Sequence, residues 1–301
     1  MLFKKSLVLE TIYDPDHVGR GPATLDLVLV HGLNGDRIKT WMHEGSKVFW
    51  PRDLLPKQQP LTRVLSFGFN ADIYGNTSTA GIRGNARALL SRLCDEREDL
   101  DGSDNGRPIV FVAHSLGGLI VKQALRFANN EPNYQSIAGA TRGLLLYGTP
   151  HAGSDRDRWL SIAKGLGGLM PIWKGGASAL VEAMTSNSSD IADICEDFRH
   201  LSCRYAIVSF YETRAWPGTG KPIVDKMSSL MHLDHEDQVP LEANHVELCR
   251  FESEDDEGFK RTVKRITRAA RGMPNPMQTN RWGGQVVNQY VWVNAGGRKQ
   301  G

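Results

Sequence analysis

The stretch from Pro108 to Ala128 constrains the chain more than any other. Its first part, PIVFVA (Pro108–Ala113), offers no polar residue for a solvated face, so it reads as a strand buried on both sides. His114 and Ser115 follow at once, and the apolar run from Leu116 to Ala128 then reads as a helix. Comparable runs recur at Leu25–Val30 (LDLVLV), Arg63–Phe67 (RVLSF), Gly143–Tyr147 (GLLLY) and Tyr205–Phe210 (YAIVSF). Helix-like segments lie between them, notably Gly84–Cys94 and Asp190–Leu201. Alternation of this kind predicts an α/β fold, with a mostly parallel central sheet and helices on both faces.

In such sheets the working residues sit just past the carboxyl ends of the strands. Each run ends in a polar or glycine-bearing loop: His31-Gly32, Gly68, His114-Ser115, Gly148-Thr149-Pro150-His151 and Tyr211-Glu212-Thr213. These loops are expected to line one crevice.

The length of 301 residues accommodates one large α/β domain or two small ones. A formal net charge of +2 is too small for a nucleic-acid binder. The basic run from Lys260 to Arg271 reads as the solvated face of a late helix. Four cysteines (Cys94, Cys195, Cys203, Cys249) form no CxxC pair, which argues for free thiols in a reducing compartment and against a zinc site. The opening MLFKKSLVLE breaks at Glu10, too early for a signal peptide, and no stretch reaches the ~18–20 apolar residues that span a bilayer. A cytoplasmic location is the expectation.

Ala113-His114-Ser115-Leu116-Gly117 sits between strand and helix, which is the setting of the G-x-S-x-G nucleophile elbow of the α/β-hydrolase fold. Ala113 replaces the usual glycine, a departure of one methyl group. Ser115 is the candidate nucleophile, held in a strained conformation that projects its Oγ into the crevice. The backbone N–H of Leu116 is one candidate oxyanion donor. The N–H of Leu33, in His31-Gly32-Leu33-Asn34-Gly35, is the other, with Gly32 expected to make the sharp turn.

The general base follows the nucleophile late in the chain, and His245 in Glu242-Ala243-Asn244-His245-Val246 is best placed. His232 and His235 stand close by and read as solvated loop histidines, while His114 and His151 read as structural. Two carboxylates compete for the acid. Glu212 directly follows a strand and is preferred, and Asp225 in Ile223-Val224-Asp225 is the alternative. Either could hold the tautomer of the imidazole. Hydrolysis by such a triad needs no metal and no cofactor.

The combination of HGLNG with Thr40-Trp41, FWPRDLLP, AHSLGG, YGTPHAGS, SFYET and ANHVELCRF resembles the SesB-like α/β hydrolases of fungi, relatives of the serine-active-site and GPI inositol-deacylase lipase-like proteins. The resemblance covers about residues 5 to 270. It implies an intracellular esterase or lipase-like domain with Ser115 and His245 in the site, and leaves Glu212 and Asp225 both in play. The expected division is a hydrolase domain over 1–271 and a linker with a terminal motif over 272–301. The glycine-rich apolar stretch 153–185 reads either as a mobile lid or as packed helices joined by glycines.

Such domains occur in fungi fused to NLR-type receptors or as separate effectors with a short amyloid signalling motif. No G-x-x-x-x-G-K-[ST] is present, so the chain is not itself the NTPase receptor. From Trp282 to Gly297 there is no charge, and QVVNQYVWVN (Gln285–Asn294) has the β-branched, aromatic and amide-rich composition of a cross-β segment. The tail resembles fungal amyloid motifs related to the RHIM type. That resemblance implies self-assembly through 283–297, an NLR-like receptor as partner, and peripheral membrane contact on activation.

Overall fold

The computed structural model describes residues 7–69, 79–98, 106–151, 155–167 and 188–273. Seven strands form one sheet: β1 (Val8–Tyr13), β2 (Leu25–Val30), β3 (Thr62–Gly68), β4 (Ile109–His114), β5 (Thr141–Tyr147), β6 (Ala206–Glu212) and β7 (Asp237–Leu241). Their order is β1-β3-β2-β4-β5-β6-β7, with β1 antiparallel to β3 and every other pairing parallel. This is the α/β-hydrolase fold, with the expected double-sided burial: every residue of β2, β3 and β4 is buried.

Register places alternate side chains on opposite faces. Val28, Val30, Leu65, Phe67, Phe111, Ala113 and Leu146 form one core with the helices α1 (Thr79–Glu98), α2 (Gly117–Asn130), α3 (Arg156–Gly167) and α4 (Ser188–Leu201). Leu27, Leu29, Val64, Val112, Leu145 and Phe210 face the other way, onto Trp41, Trp50 and α5 (Glu257–Ala270). Each such aliphatic side chain contributes about 1.5–3 kcal/mol through burial, so the central strands anchor both layers. The basic run from Lys260 lies on α5, which buries Phe259, Thr262, Ile266 and Ala269 and is capped by Asp256, whose carboxylate accepts from the Gly258 and Phe259 amides.

Strands β1 and β7 escape the sequence reading. Among the described residues both are edge strands, paired on one side, and neither carries a continuous apolar run. In β7 only Val239 and Leu241 are buried, and Pro240 is tolerated because an edge strand has one unpaired side. Within the stretch 153–185, the described part is the helix α3, and its Trp159, Ile162, Ala163 and Leu166 are packed into the core. The rest of that stretch, from 168 onward, and the tail motif at 283–297 lie outside the described residues.

Asp26 is fully buried near the start of β2. Arg63, Arg97 and Arg107 surround it with N–O distances of 2.8, 2.5 and 3.1 Å. This cluster lies at the end of the sheet opposite His31 and Ser115, about 17–20 Å away along a six-residue strand.

Candidate active site

The turn after β4 carries Ser115 at φ 53°, a left-handed conformation that costs a non-glycine residue of order 1–3 kcal/mol. A backbone bond from the Ser115 N–H to the Tyr147 carbonyl, at 2.8 Å, holds the turn against β5. Small neighbours are obligatory: a Cβ on Gly117 would run into the carbonyl oxygens of Val30 and His31, and one on Gly118 into Thr149.

Gly32 has a different task from the one its sequence context suggests. The left-handed residue of that loop is Asn34, at φ 52°. Gly32 is instead required by close approach, since a Cβ there would lie 2.7 Å from the Cβ of Ser115. His31 stabilises the loop from below: it stacks on Phe69 and its Nδ1 donates to the Gly32 carbonyl at 2.8 Å.

Three of the candidate residues converge. His245 Nε2 lies 3.0 Å from Ser115 Oγ, and His245 Nδ1 lies 3.1 Å from Glu212 Oε1. The Glu212 carboxylate is shielded from water, and the N–H groups of Ile223 and Val224 donate to it at 3.2 and 2.8 Å. Those amides replace hydration and fix both carboxylate oxygens. Asp225 stands elsewhere: it caps the short helix Lys226–Ser229, accepting from the Ser228 N–H and Oγ at 2.9 and 3.0 Å. His232 and His235 each bond a backbone carbonyl, of Met227 and Ser202 respectively. Among the described residues, no group of three or more His, Cys, Asp or Glu side chains could hold a metal.

His114 supports the site from behind. Its Nε2–H donates to the His245 carbonyl at 2.9 Å, and burial, with His245 close by, pushes its pKa down to about 3. The ring is therefore neutral at ordinary pH and serves as a fixed donor. His151 is likewise driven well below the usual imidazole range by burial and by Lys122, whose Nζ lies 2.5 Å from its Nδ1. Lys122 is itself fully buried on α2, and burial lowers its pKa.

A cavity of about 170 Å³ opens over the serine. Leu33, Asn34, Thr40, Leu166, Val246 and Arg250 line it together with Ser115 and His245. Leu166 comes from α3, so the described part of the 153–185 stretch forms one wall. Leu116 sits at the start of α2, where a helix leaves its first N–H groups without internal acceptors. A larger cleft, about 840 Å³, lies over β7 and the start of α5 and contains none of the converging residues. Arg250 lies in the segment ANHVELCRF, and its composition alone assigns this residue no role. Its signal is slight: one cation among Val246, Leu248, Cys249 and Phe251, all but Val246 buried.

Residues 25–199 match the family described as Putative serine esterase (DUF676), which is more than half of the chain. The chain belongs to this family. Protein SERAC1 of Danio rerio is a relative at 27% identity over 270 residues, 83% of this chain and 40% of the relative. Protein SERAC1 of Homo sapiens is 24% identical over 276 residues, 86% of this chain and 41% of the relative. The chain thus spans about two fifths of the length of these curated relatives. Among solved structures, a carboxylesterase of the thaumarchaeon Nitrososphaera gargenis is similar at 12% identity, covering 89% of this chain and 97% of that one, with a TM-score of 0.47. A monoacylglycerol lipase of Paleococcus ferrophilus is similar at 16% identity, covering 88% and 98%, with a TM-score of 0.45. Among the described residues, no helix of this esterase-family chain is long and apolar enough to cross a membrane.

Proposed function

We propose that the chain is a serine carboxylic-ester hydrolase in which Ser115, His245 and Glu212 form the catalytic triad. One observation carries the reading: the hydrogen-bonded line Ser115 Oγ–His245 Nε2, His245 Nδ1–Glu212 Oε1 at 3.0 and 3.1 Å. His245 takes the Ser115 proton as Oγ attacks the acyl carbonyl, and Glu212 stabilises the imidazolium that results. The Leu33 and Leu116 N–H groups receive the oxyanion. Collapse of the tetrahedral intermediate expels the alcohol, protonated by His245, and leaves an acyl-serine. Water, deprotonated by His245, then releases the acid and restores the serine.

The test is hydrolysis of a graded series of acyl esters by the wild type and by Ser115→Ala, with labelling by a fluorophosphonate as a second readout. Wild-type turnover is expected to fall about 10⁵–10⁶-fold in the variant, with labelling lost and the melting temperature retained. Equal turnover in the two proteins would remove the triad from the mechanism. The apolar stretch 153–185 favours long acyl chains, which the same series reads directly.

The tail supports a second role, because Trp282–Gly297 is uncharged and rich in β-branched, aromatic and amide side chains. On this reading residues 283–297 assemble by cross-β stacking, templated by an NLR-like receptor, and concentrate the hydrolase at a membrane. A peptide of residues 280–301 should then form fibrils with a cross-β diffraction pattern. A peptide that stays monomeric at high concentration would dismiss the idea.

A further inference from the structure

Arg250 sits between two hollows: it lines the cavity that holds Ser115 and His245 and also borders the larger cleft over β7. The other described residues in the wall of the first are apolar (Leu33, Leu166, Val246) or neutral and polar (Asn34, Thr40), and His114 stays uncharged at ordinary pH. Beside His245, Arg250 is thus the charged residue of this wall.

Among the described residues its contacts use only part of its donor capacity. Nε donates to the Thr40 carbonyl at 3.4 Å, and NH1 lies 3.8 Å from a Glu44 carboxylate that is 86% exposed to water. A pair at that distance and exposure is screened and weak. A guanidinium offers five donors in a planar fork suited to carboxylate or phosphate oxygens. The residue is also held in place: its neighbours Cys249 and Phe251 are buried, and Cys249 Sγ donates to the same Thr40 carbonyl.

The Arg250 charge is felt within the site. Arg250 is among the charges that disfavour protonation of His114, which packs against His245 with ring centroids 5.0 Å apart. An anionic group on the substrate would meet this charge and take up guanidinium donors that the contacts among the described residues leave over.

We propose that Arg250 selects esters bearing an anionic group, a carboxylate or a phosphate, close to the scissile carbonyl. This rests on the esterase reading. Two matched pairs test it: p-nitrophenyl pentanoate against mono-p-nitrophenyl glutarate, and a glycerol ester against the glycerol-phosphate ester of the same acid. The first pair places a carboxylate on the acyl side, and the second a phosphate on the alcohol side. In at least one pair the wild type should favour the anionic ester in kcat/KM, chiefly through KM. Arg250→Gln should reduce that ratio about tenfold, Arg250→Glu should invert it, and Arg250→Lys should keep most of it. Ratios unchanged from wild type to Arg250→Gln in both pairs would overturn the proposal. Should the wild type turn over none of the four esters, the esterase reading fails separately. Calorimetric binding to Ser115→Ala, with and without Arg250→Gln, then reads charge preference without turnover. Equal affinities for anionic and neutral members would overturn the proposal there too.

Discussion

Two carboxylates are buried at opposite ends of this sheet, and their partners differ in kind. Asp26, near the start of β2, meets three arginines, all at most 8% exposed. Glu212, at the end of β6, meets two backbone amides and one imidazole. Guanidinium groups keep their charge at any physiological pH, so the partners of Asp26 hold the strands together without changing charge. An imidazole gains and loses a proton within that range, so in the proposed mechanism Glu212 faces a partner whose charge changes. A buried carboxylate becomes useful for chemistry through a titratable partner and a path to substrate. On the proposed reading the Glu212 end has both, because His245 also reaches Ser115 and the cavity above it.

This contrast can be broken most sharply at Glu212. Replacement by Gln should retain the fold but lower kcat about 10⁴-fold, because an amide can hold the wrong imidazole tautomer. Asp225→Ala, which removes only a helix cap, should cost about 1 kcal/mol of stability and little turnover. Kinetics on both variants decide the acid: comparable losses would deny Glu212 its special place.

The opposite end should respond in stability alone. Asp26→Asn leaves buried guanidinium charges without their counter-charge and should cost about 3–5 kcal/mol, measured by urea unfolding. Turnover per folded molecule should stay near that of the wild type. A large kinetic defect in a stably folded Asp26→Asn protein would erase the distinction between the two ends.

A smaller effect tests the neutral support behind the triad. The folded-state pKa of His114 is depressed to about 3, so protons bind the unfolded chain first as pH falls below 6.5. Stability is therefore fully present above that value and lost on acidification, by about 1.4 kcal/mol per pH unit for one such group. His151 acts in the same direction. His114→Gln keeps a donor but removes one titration, so its unfolding free energy should fall less steeply between pH 6.5 and 4. An identical slope would mean that His114 is not held neutral by the fold.

Much of this was legible along the chain. Runs without polar alternation can only be strands shielded on both faces, which determined a mostly parallel sheet and its layers. Local sterics determined the elbow at Ser115, since strand, serine, small residue and apolar helix must turn tightly wherever they fold. Edge strands β1 and β7 were hidden because one exposed side erases the run on which such a reading depends. Between Glu212 and Asp225 the sequence offered only a preference, from the strand that leads to Glu212, and three-dimensional packing is what brings Glu212 to His245. Gly32 shows the same limit: a glycine for turning and a glycine for close approach look alike until Ser115 stands beside it. Sequence neighbours determine backbone preference and burial, whereas proximity between residues 33 and 130 positions apart, as at His245 with Glu212 and Ser115, exists only once the sheet has assembled.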